Sequence, residues 1–300
     1  MKPNLFIVGA PKCGTTAWVE YLRSHPDIFF AKVKEPHHFS YDFPRWCKFP
    51  EREEYLALFK DSEDAPVVAE ASVRYLYSKV AAREIHDFNP ESKILIFLRD
   101  QEDYLPSQHN QLLYGRMESI EDFEQAWRLS GKRGAENIPS SCLEPSFLDY
   151  AAAGRFREQV ERYFALFPAE QIRLFTFRDW IANPRATYLE ILRFLSVKDD
   201  GRTDFPKVNV AKHHKSKFLA VLTHPPVWLR QISSIVKRLT GKSHFQFGAR
   251  ILQINRGLGY QTTVDPALKQ EIRRYYEAEN LLLLPRIWSS DAHSDSRRGN

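Results

Sequence analysis

The stretch Ile7-Val-Gly-Ala-Pro-Lys-Cys-Gly-Thr-Thr16 joins an apolar run to a helix start through a turn that carries two glycines. Leu5–Val8 is short, apolar and ends at Gly9, the pattern of a parallel strand buried on both faces. Thr15 to Ser24 has helical character, with Trp18, Tyr21 and Leu22 at suitable spacing. Strand, turn and helix N-terminus together make an anion site, because the first N–H groups of a helix have no helical partner and its dipole favours negative charge there. Gly14 lets the backbone approach a phosphate, Thr15 and Thr16 add hydroxyl donors, and Lys12 adds a cation; with Cys13 these are the candidate binding residues. A Walker A loop places Lys directly after its second Gly and then Ser or Thr on Mg²⁺. Here Lys12 stands two residues before Gly14, which counts against ATP chemistry.

Working outward, Val67–Ala69 reads as a second strand ending at Glu70, and Lys93–Leu98 as a third that runs into Arg99-Asp100. Ile172–Phe177 is a fourth, followed by Asp179-Trp180 and a helix from about Pro184 to Leu195. Strands separated by helices predict an α/β fold: a central parallel sheet flanked by helices, with a P-loop-like phosphate-binding strand-turn-helix. Leu148–Phe167 carries the stripe Phe156, Val160, Tyr163, Phe164 and Phe167 of an amphipathic helix. Val227–Leu239 and Pro266–Leu284 read as two more, and the polar stretch Lys198–Lys217 as an ordered loop over a site. The 300 residues are expected to form one domain over residues 1–288, with a frayed polar tail over 289–300.

Apolar residues make up 43% of the chain, enough for a sizeable core. The formal charge is +5, from 43 Lys and Arg against 38 Asp and Glu, which suits anionic small molecules or acidic glycans. There is no dense basic run, so no nucleic-acid partner is expected. Cys13, Cys47 and Cys142 are odd in number and lack metal-site spacing, which points away from a disulfide framework and toward a reducing compartment. No apolar stretch approaches the roughly 18 residues of a membrane span. His37-His38 and His213-His214 make poor metal sites, since adjacent side chains seldom point the same way, and no metal is expected.

The Lys12–Thr16 segment resembles the 5′-phosphosulfate loop of sulfotransferases that use 3′-phosphoadenosine 5′-phosphosulfate (PAPS). Members share a Lys and then Gly-Thr-Thr directly after the first strand. In that family an Arg ending the third strand and a Ser eight residues later bind the 3′-phosphate, and Arg99 and Ser107 match that spacing. The Pro that often follows the Arg is missing. A guanidinium presents a planar fork to a phosphate, and a hydroxyl adds a second donor. Phe175-Thr-Phe-Arg-Asp-Trp180 with Asn183-Pro184 is similar to a further family run, with Arg178 where Glu is usual. Val208-Asn209 to Ser216 and Arg256-Gly257-Leu258-Gly259 are looser matches to family loops.

Glu70, Ser72 and Tyr75 resemble the Glu-x-Ser and Tyr element of the heparan sulfate branch and its bacterial relatives, with Ala71 where Lys is frequent. The resemblance implies that Glu70 takes the proton from an acceptor hydroxyl; pairing with Arg74 or helix capping is its structural alternative. Lys34-Glu-Pro-His-His-Phe39 is similar to a family stretch beside the acceptor, with Lys34 on the sulfonate oxygens and His37 or His38 as the other candidate base. The resemblance implies a cytoplasmic, bacterial-type enzyme moving a sulfonyl group from PAPS to a small-molecule or glycan hydroxyl, with Lys12 neutralising the departing phosphate oxygen. A P-loop NTPase or small-molecule kinase, or a non-catalytic nucleotide-binding protein of the same fold, is the alternative.

Overall fold

The computed structural model describes residues 1–206, 208, 212–214, 256–258 and 263–295. The helix expected over Val227–Leu239, together with Asn209, Ser216 and Gly259, lies outside the described residues. The chain divides into two compact units, one of residues 1–104, 155–209 and 271–300, the other of 105–154 and 210–270.

In the first unit, β1 (Leu5–Gly9) leads through a turn into α1 (Thr15–Arg23), β2 (Ile28–Phe30), α2 (Arg52–Ala57) and β3 (Val67–Ala71). There follow α3 (Ala81–Phe88), β4 (Lys93–Leu98) and α4 (Gln101–Tyr114), the last of which runs on past Tyr104. The sheet order is β2-β3-β1-β4-β5, with β5 at Ile172–Thr176, and all four pairings are parallel. The expected α/β sheet is therefore present, with a fifth strand at its edge. β2 has only three residues, too few for periodicity to reveal. β1 and β3 are buried at every residue, which an apolar strand covered on both faces requires. β1 sits between β3 and β4, so the chain crosses to opposite sides of it, and ligand crevices form beyond the strand ends at such a switch point.

On one face of the sheet Trp18 stacks on Phe97, which stacks on Phe175, at centroid distances of 5.5 and 5.3 Å. On the other, Phe39 packs edge-on against Phe6 and Tyr55 at 5.8 and 5.2 Å.

The helix expected over Leu148–Phe167 is two helices. α6 (Tyr150–Ala153) is capped by the Asp149 carboxylate and stops at Gly154, and α7 (Phe156–Phe164) starts afresh after Arg155, whose ψ of 64° is not helical. The apolar stripe from Phe156 to Phe164 belongs to α7, and Phe167 lies beyond its end. After β5 come α8 (Phe177–Ala182) and α9 (Pro184–Leu195), each opened by a side-chain cap, Thr176 and Asn183. The last helix, α10 (Pro266–Asp295), runs beyond Leu284 and through the start of the tail expected to fray, since propagation of a formed helix adds one bond per residue. Its Asn280 exchanges amide hydrogen bonds with Gln101 at 2.8 and 3.0 Å, and Arg273 pairs with Glu102 at 2.8 Å.

The second unit holds α5 (Phe123–Arg128), α6 and an antiparallel pair, β6 (Lys212–His214) with β7 (Arg256–Leu258). Its centre is the buried Glu118 carboxylate, which takes the Tyr150 hydroxyl at 2.9 Å, the Ser119 and Ile120 N–H groups at 2.8 and 2.9 Å, and the Arg133 guanidinium. A buried charge held by this many donors is compensated.

Among the described residues no helix is long and apolar enough to cross a membrane. Trp18 is fully buried between sheet and helix, so Trp18→Ala is expected to cost about 3–5 kcal/mol in urea unfolding; a loss below about 1 kcal/mol would show that the site collapses around the missing ring.

Candidate functional site

The turn between β1 and α1 is built from outside as much as from its own residues. Gly14 caps α1 in the left-handed region, at φ 85°. A Cβ at that position would lie 2.1 Å from Cζ2 of Trp180, so only glycine fits. The Trp180 indole N–H donates to the Cys13 carbonyl at 3.3 Å and the ring packs edge-on against Trp18. A residue on α8 thus fixes the turn and the helix that leaves it. At the other end of the turn, a Cβ on Gly9 would meet the Val73 carbonyl oxygen at 2.8 Å and Cβ of Leu76 at 2.7 Å.

Gly14, Thr15 and Thr16 head α1, where no carbonyl of the helix precedes their N–H groups. Thr15 is buried, and Thr16 is half-buried with its hydroxyl accepting from the Lys34 ammonium at 2.6 Å. Lys12 is half-buried and holds a left-handed backbone, φ 64°. The Cys13 thiol is sealed in the core against the Pro11 carbonyl, and burial pushes it well above the ordinary thiol range. Cys13 can therefore meet a ligand only through its backbone.

Arg99 leaves the end of β4 with its guanidinium 4.6 Å over the Phe177 ring. The neighbouring Asp100 carboxylate is engaged by Arg178 at 2.5 Å. Ser107 lies on α4 within the second unit.

Lys34 bridges two groups, the Thr16 hydroxyl and the Glu35 carboxylate, the latter at 3.3 Å. Glu35 also meets the buried His37 ring at 3.5 Å. Burial alone would raise the Glu35 carboxyl; the His37 contact, then Lys34 and Lys48, override it and hold the carboxyl down to about 2. Its side chain keeps 27% of its surface open. Sequence reasoning passed over Glu35, although an acid directly following a candidate site lysine was a usable signal.

Glu70 is only 3% exposed and lies inside β3 rather than beyond it. It stands opposite Phe6 of β1 and takes the Tyr55 hydroxyl at 3.1 Å. Burial pushes its carboxyl up to about 7 against contacts from Ser72, Tyr75 and Tyr55, and the charge on Glu35 adds to the rise. Two neighbouring carboxylates are thereby driven apart, one ionised at any working pH and one titrating near neutrality.

The structure brings Glu70 and Tyr75 into one buried layer with the aromatic residues 39 and 55. His38 joins that layer from its edge. Its ring lies flush on Tyr55, 4.3 Å away, and its Nδ1 faces the Phe49 carbonyl at 2.6 Å, so that nitrogen carries the proton. Burial lowers its pKa. His38 with Phe39, Pro44, Cys47, Arg52 and Phe88 lines a cleft of about 390 Å³. Among the described residues no group of three or more His, Cys, Asp or Glu is gathered as for a metal ion.

Known proteins resemble this chain in sequence and in fold. The human heparan sulfate glucosamine 3-O-sulfotransferase 6 is 33% identical over 98 residues, covering 33% of this chain and 27% of that protein. The mouse carbohydrate sulfotransferase 15 is 25% identical over 249 residues, covering 65% of this chain and 44% of that protein. The chain thus spans less than half the length of these curated relatives. A crystal structure of a sulfotransferase from Alicyclobacillus acidocaldarius superposes with a TM-score of 0.61 at 27% identity, covering 81% of this chain and 97% of that one. The family model of the sulfotransferase domain matches residues 2–245, and by that match the chain belongs to the sulfotransferase family.

Proposed function

We propose that the protein transfers a sulfonyl group from PAPS to an acceptor hydroxyl, and that the acceptor is a carbohydrate. The observation that carries this reading is the Gly14 turn with two lysines beside it, one of them bound to Thr16. It is an anion cradle without the Walker arrangement. The N–H groups of Gly14, Thr15 and Thr16 suit a 5′-phosphate. Lys12 and Lys34 suit the oxygens on which charge develops, and fixed donors of this kind are usually the largest catalytic contribution. The eight-residue spacing of Arg99 and Ser107 along the chain supports recognition of the 3′-phosphate that distinguishes PAPS from common nucleotides. The family match over residues 2–245 runs through chain segments of both compact units, and residues 1–288 are read as one transferase domain. The heparan sulfate and carbohydrate sulfotransferase relatives support a glycan acceptor.

PAPS supplies an activated sulfonyl group with a phosphate as its leaving group. The chain's own residues must remove the acceptor's proton as the new S–O bond forms, and a carboxylate is the group at hand. Glu70 has the proton affinity for this near neutrality, but it lies beneath Tyr55. Glu35 is ionised, partly open and bound to the lysine that touches Thr16. Access favours Glu35 as the base, with Glu70 as its buried, titrating neighbour.

Thermal shift with 3′-phosphoadenosine 5′-phosphate (PAP) against Mg·ATP tests the nucleotide. PAP is expected to stabilise the protein and Lys12→Ala to weaken PAP binding about 10–100-fold, the loss of one charged hydrogen bond; stabilisation by Mg·ATP alone would mean an NTPase. Transfer of labelled sulfonyl to a glucosamine–uronic acid oligosaccharide tests the chemistry. Glu35→Gln is expected to lower kcat about 10²–10⁴-fold with PAP binding kept, and Glu70→Gln less than about tenfold; the reverse order returns the base role to Glu70.

The raised Glu70 pKa also has a stability signature. Between the ordinary value of 4.5 and about 7 the folded protein keeps a proton that the unfolded chain has lost, so this group's contribution to stability falls as pH rises through that window. Glu70→Gln is expected to gain melting temperature relative to wild type from about pH 5 to about pH 8; an unchanged difference would show an ordinary carboxylate.

A further inference from the structure

We propose that Ser72 and Tyr75 are positioning residues, whose hydroxyls hold the backbone of residues 35–39 so that Glu35 stays beside Lys34 at the cradle. The inference rests on the reading of Glu35 as the base in sulfonyl transfer.

Three hydrogen bonds join the end of β3 and the segment after it to this loop. The Glu35 N–H donates to the Ala71 carbonyl at 3.0 Å, the His37 N–H to the Ser72 hydroxyl at 3.0 Å, and the Phe39 N–H to the Tyr75 hydroxyl at 3.2 Å. They fall at alternate residues of the loop, as strand partners do, yet two of the three acceptors are side chains. A side-chain acceptor can sit where no backbone carbonyl reaches, and this loop needs that. Glu35 and His37 both hold left-handed backbones, at φ 58° and 57°. Such conformations are disfavoured in residues with a Cβ and persist only where the surroundings impose them.

The same segment is bonded on its other side to the strand that leads into the cradle. The Ser72 N–H donates to the Ile7 carbonyl at 3.2 Å and the Leu76 N–H to the Val8 carbonyl at 2.8 Å. Residues 71–76 therefore tie the end of β1 to the Glu35 loop. The distance between the anion site and its carboxylate is set by this tie, with Lys34 closing the circuit to Thr16. Ser72 and Tyr75 are fully buried, so neither meets an acceptor directly; their hydroxyls also meet the buried Glu70, and the route we assign to their effect on the reaction is the loop that carries Glu35. The Glu-x-Ser and Tyr pattern thereby acquires a role for its Ser and Tyr distinct from that of its Glu.

Kinetics of single and double variants decide the matter, with labelled transfer from PAPS to the glucosamine–uronic acid oligosaccharide as the probe. Ser72→Ala is expected to lower kcat about tenfold while the KM for PAPS and the affinity for PAP stay within about twofold, since small misplacements of a reacting group are costly in rate. Ser72→Thr, which keeps the hydroxyl, should restore most of the loss. Tyr75→Phe, which keeps the ring, isolates the second hydroxyl and should act in the same direction. Placed on Glu35→Gln, Ser72→Ala should cause no further loss, because residues acting through one group are not additive. Wild-type kcat in both Ser72→Ala and Tyr75→Phe would overturn the proposal, and so would a full tenfold loss on the Glu35→Gln background. Glu35→Gln alone is the control: if it leaves kcat intact, the base reading falls and this inference with it. If it is damaging while the two hydroxyl variants are neutral, only the positioning role is lost.

Discussion

Much of the site depends on the packing of the Trp180 ring against Gly14. The indole occupies the space in which any other residue at position 14 would carry its Cβ, and it donates to the carbonyl just before. The turn can therefore neither bulge outward nor accept a side chain. That fixes where α1 begins, and with it the direction in which the leading N–H groups point. A helix start is an anion site only if those groups converge on one place. Here convergence is imposed by an aromatic side chain 166 residues further along the chain, delivered by a short helix that Thr176 and the end of β5 hold in place.

Beside this rigid turn the charges are arranged with less symmetry. Lys34 is shared between Thr16 and Glu35, so a cation, a hydroxyl and a carboxylate form one chain of contacts at the cradle's edge. Behind Glu35 lies Glu70, and two like charges so near each other, one of them buried, are not both comfortably ionised. The aromatic layer of Phe39, Tyr55 and His38 keeps water from Glu70. Burial acts on both glutamates, and the asymmetry in proton affinity follows from their partners: His37, Lys34 and Lys48 override it at Glu35, whereas Glu70 has only hydroxyls to oppose it.

Much of this was legible in the chain itself. The four longer strands, the cradle and the Arg at the end of β4 follow from apolar runs that stop at Gly or at a charge. The features that were not legible each depend on contacts between distant residues. β2 is too short to show a period, and it forms because Val67, Val68 and Ala69 offer it an edge. The break at Gly154 went unseen because the apolar stripe on one side of it looks continuous with the residues on the other. Glu70 was conspicuous as a carboxylate at the end of an apolar run, whereas the contacts of Glu35 with Lys34 and His37 arise in a loop with a left-handed backbone that carries no periodic mark. His38 looked like a base by residue type; its stacking on Tyr55 and its bond to the Phe49 carbonyl could not be read from spacing.

The loop of residues 35–39 is tied through the N–H groups of Glu35, His37 and Phe39 to acceptors that lie elsewhere in the chain, and its Pro36 carbonyl takes the Lys48 N–H at 3.0 Å. Its shape is thus written outside it. A peptide segment fixed in this manner can exchange the side chain of a half-buried position such as His38 without forfeiting its course, much as a jig holds workpieces of different finish. Divergence toward new acceptors, whether natural or in the laboratory, has a cleft-lining position here that can be rewritten while the geometry beneath is inherited unchanged.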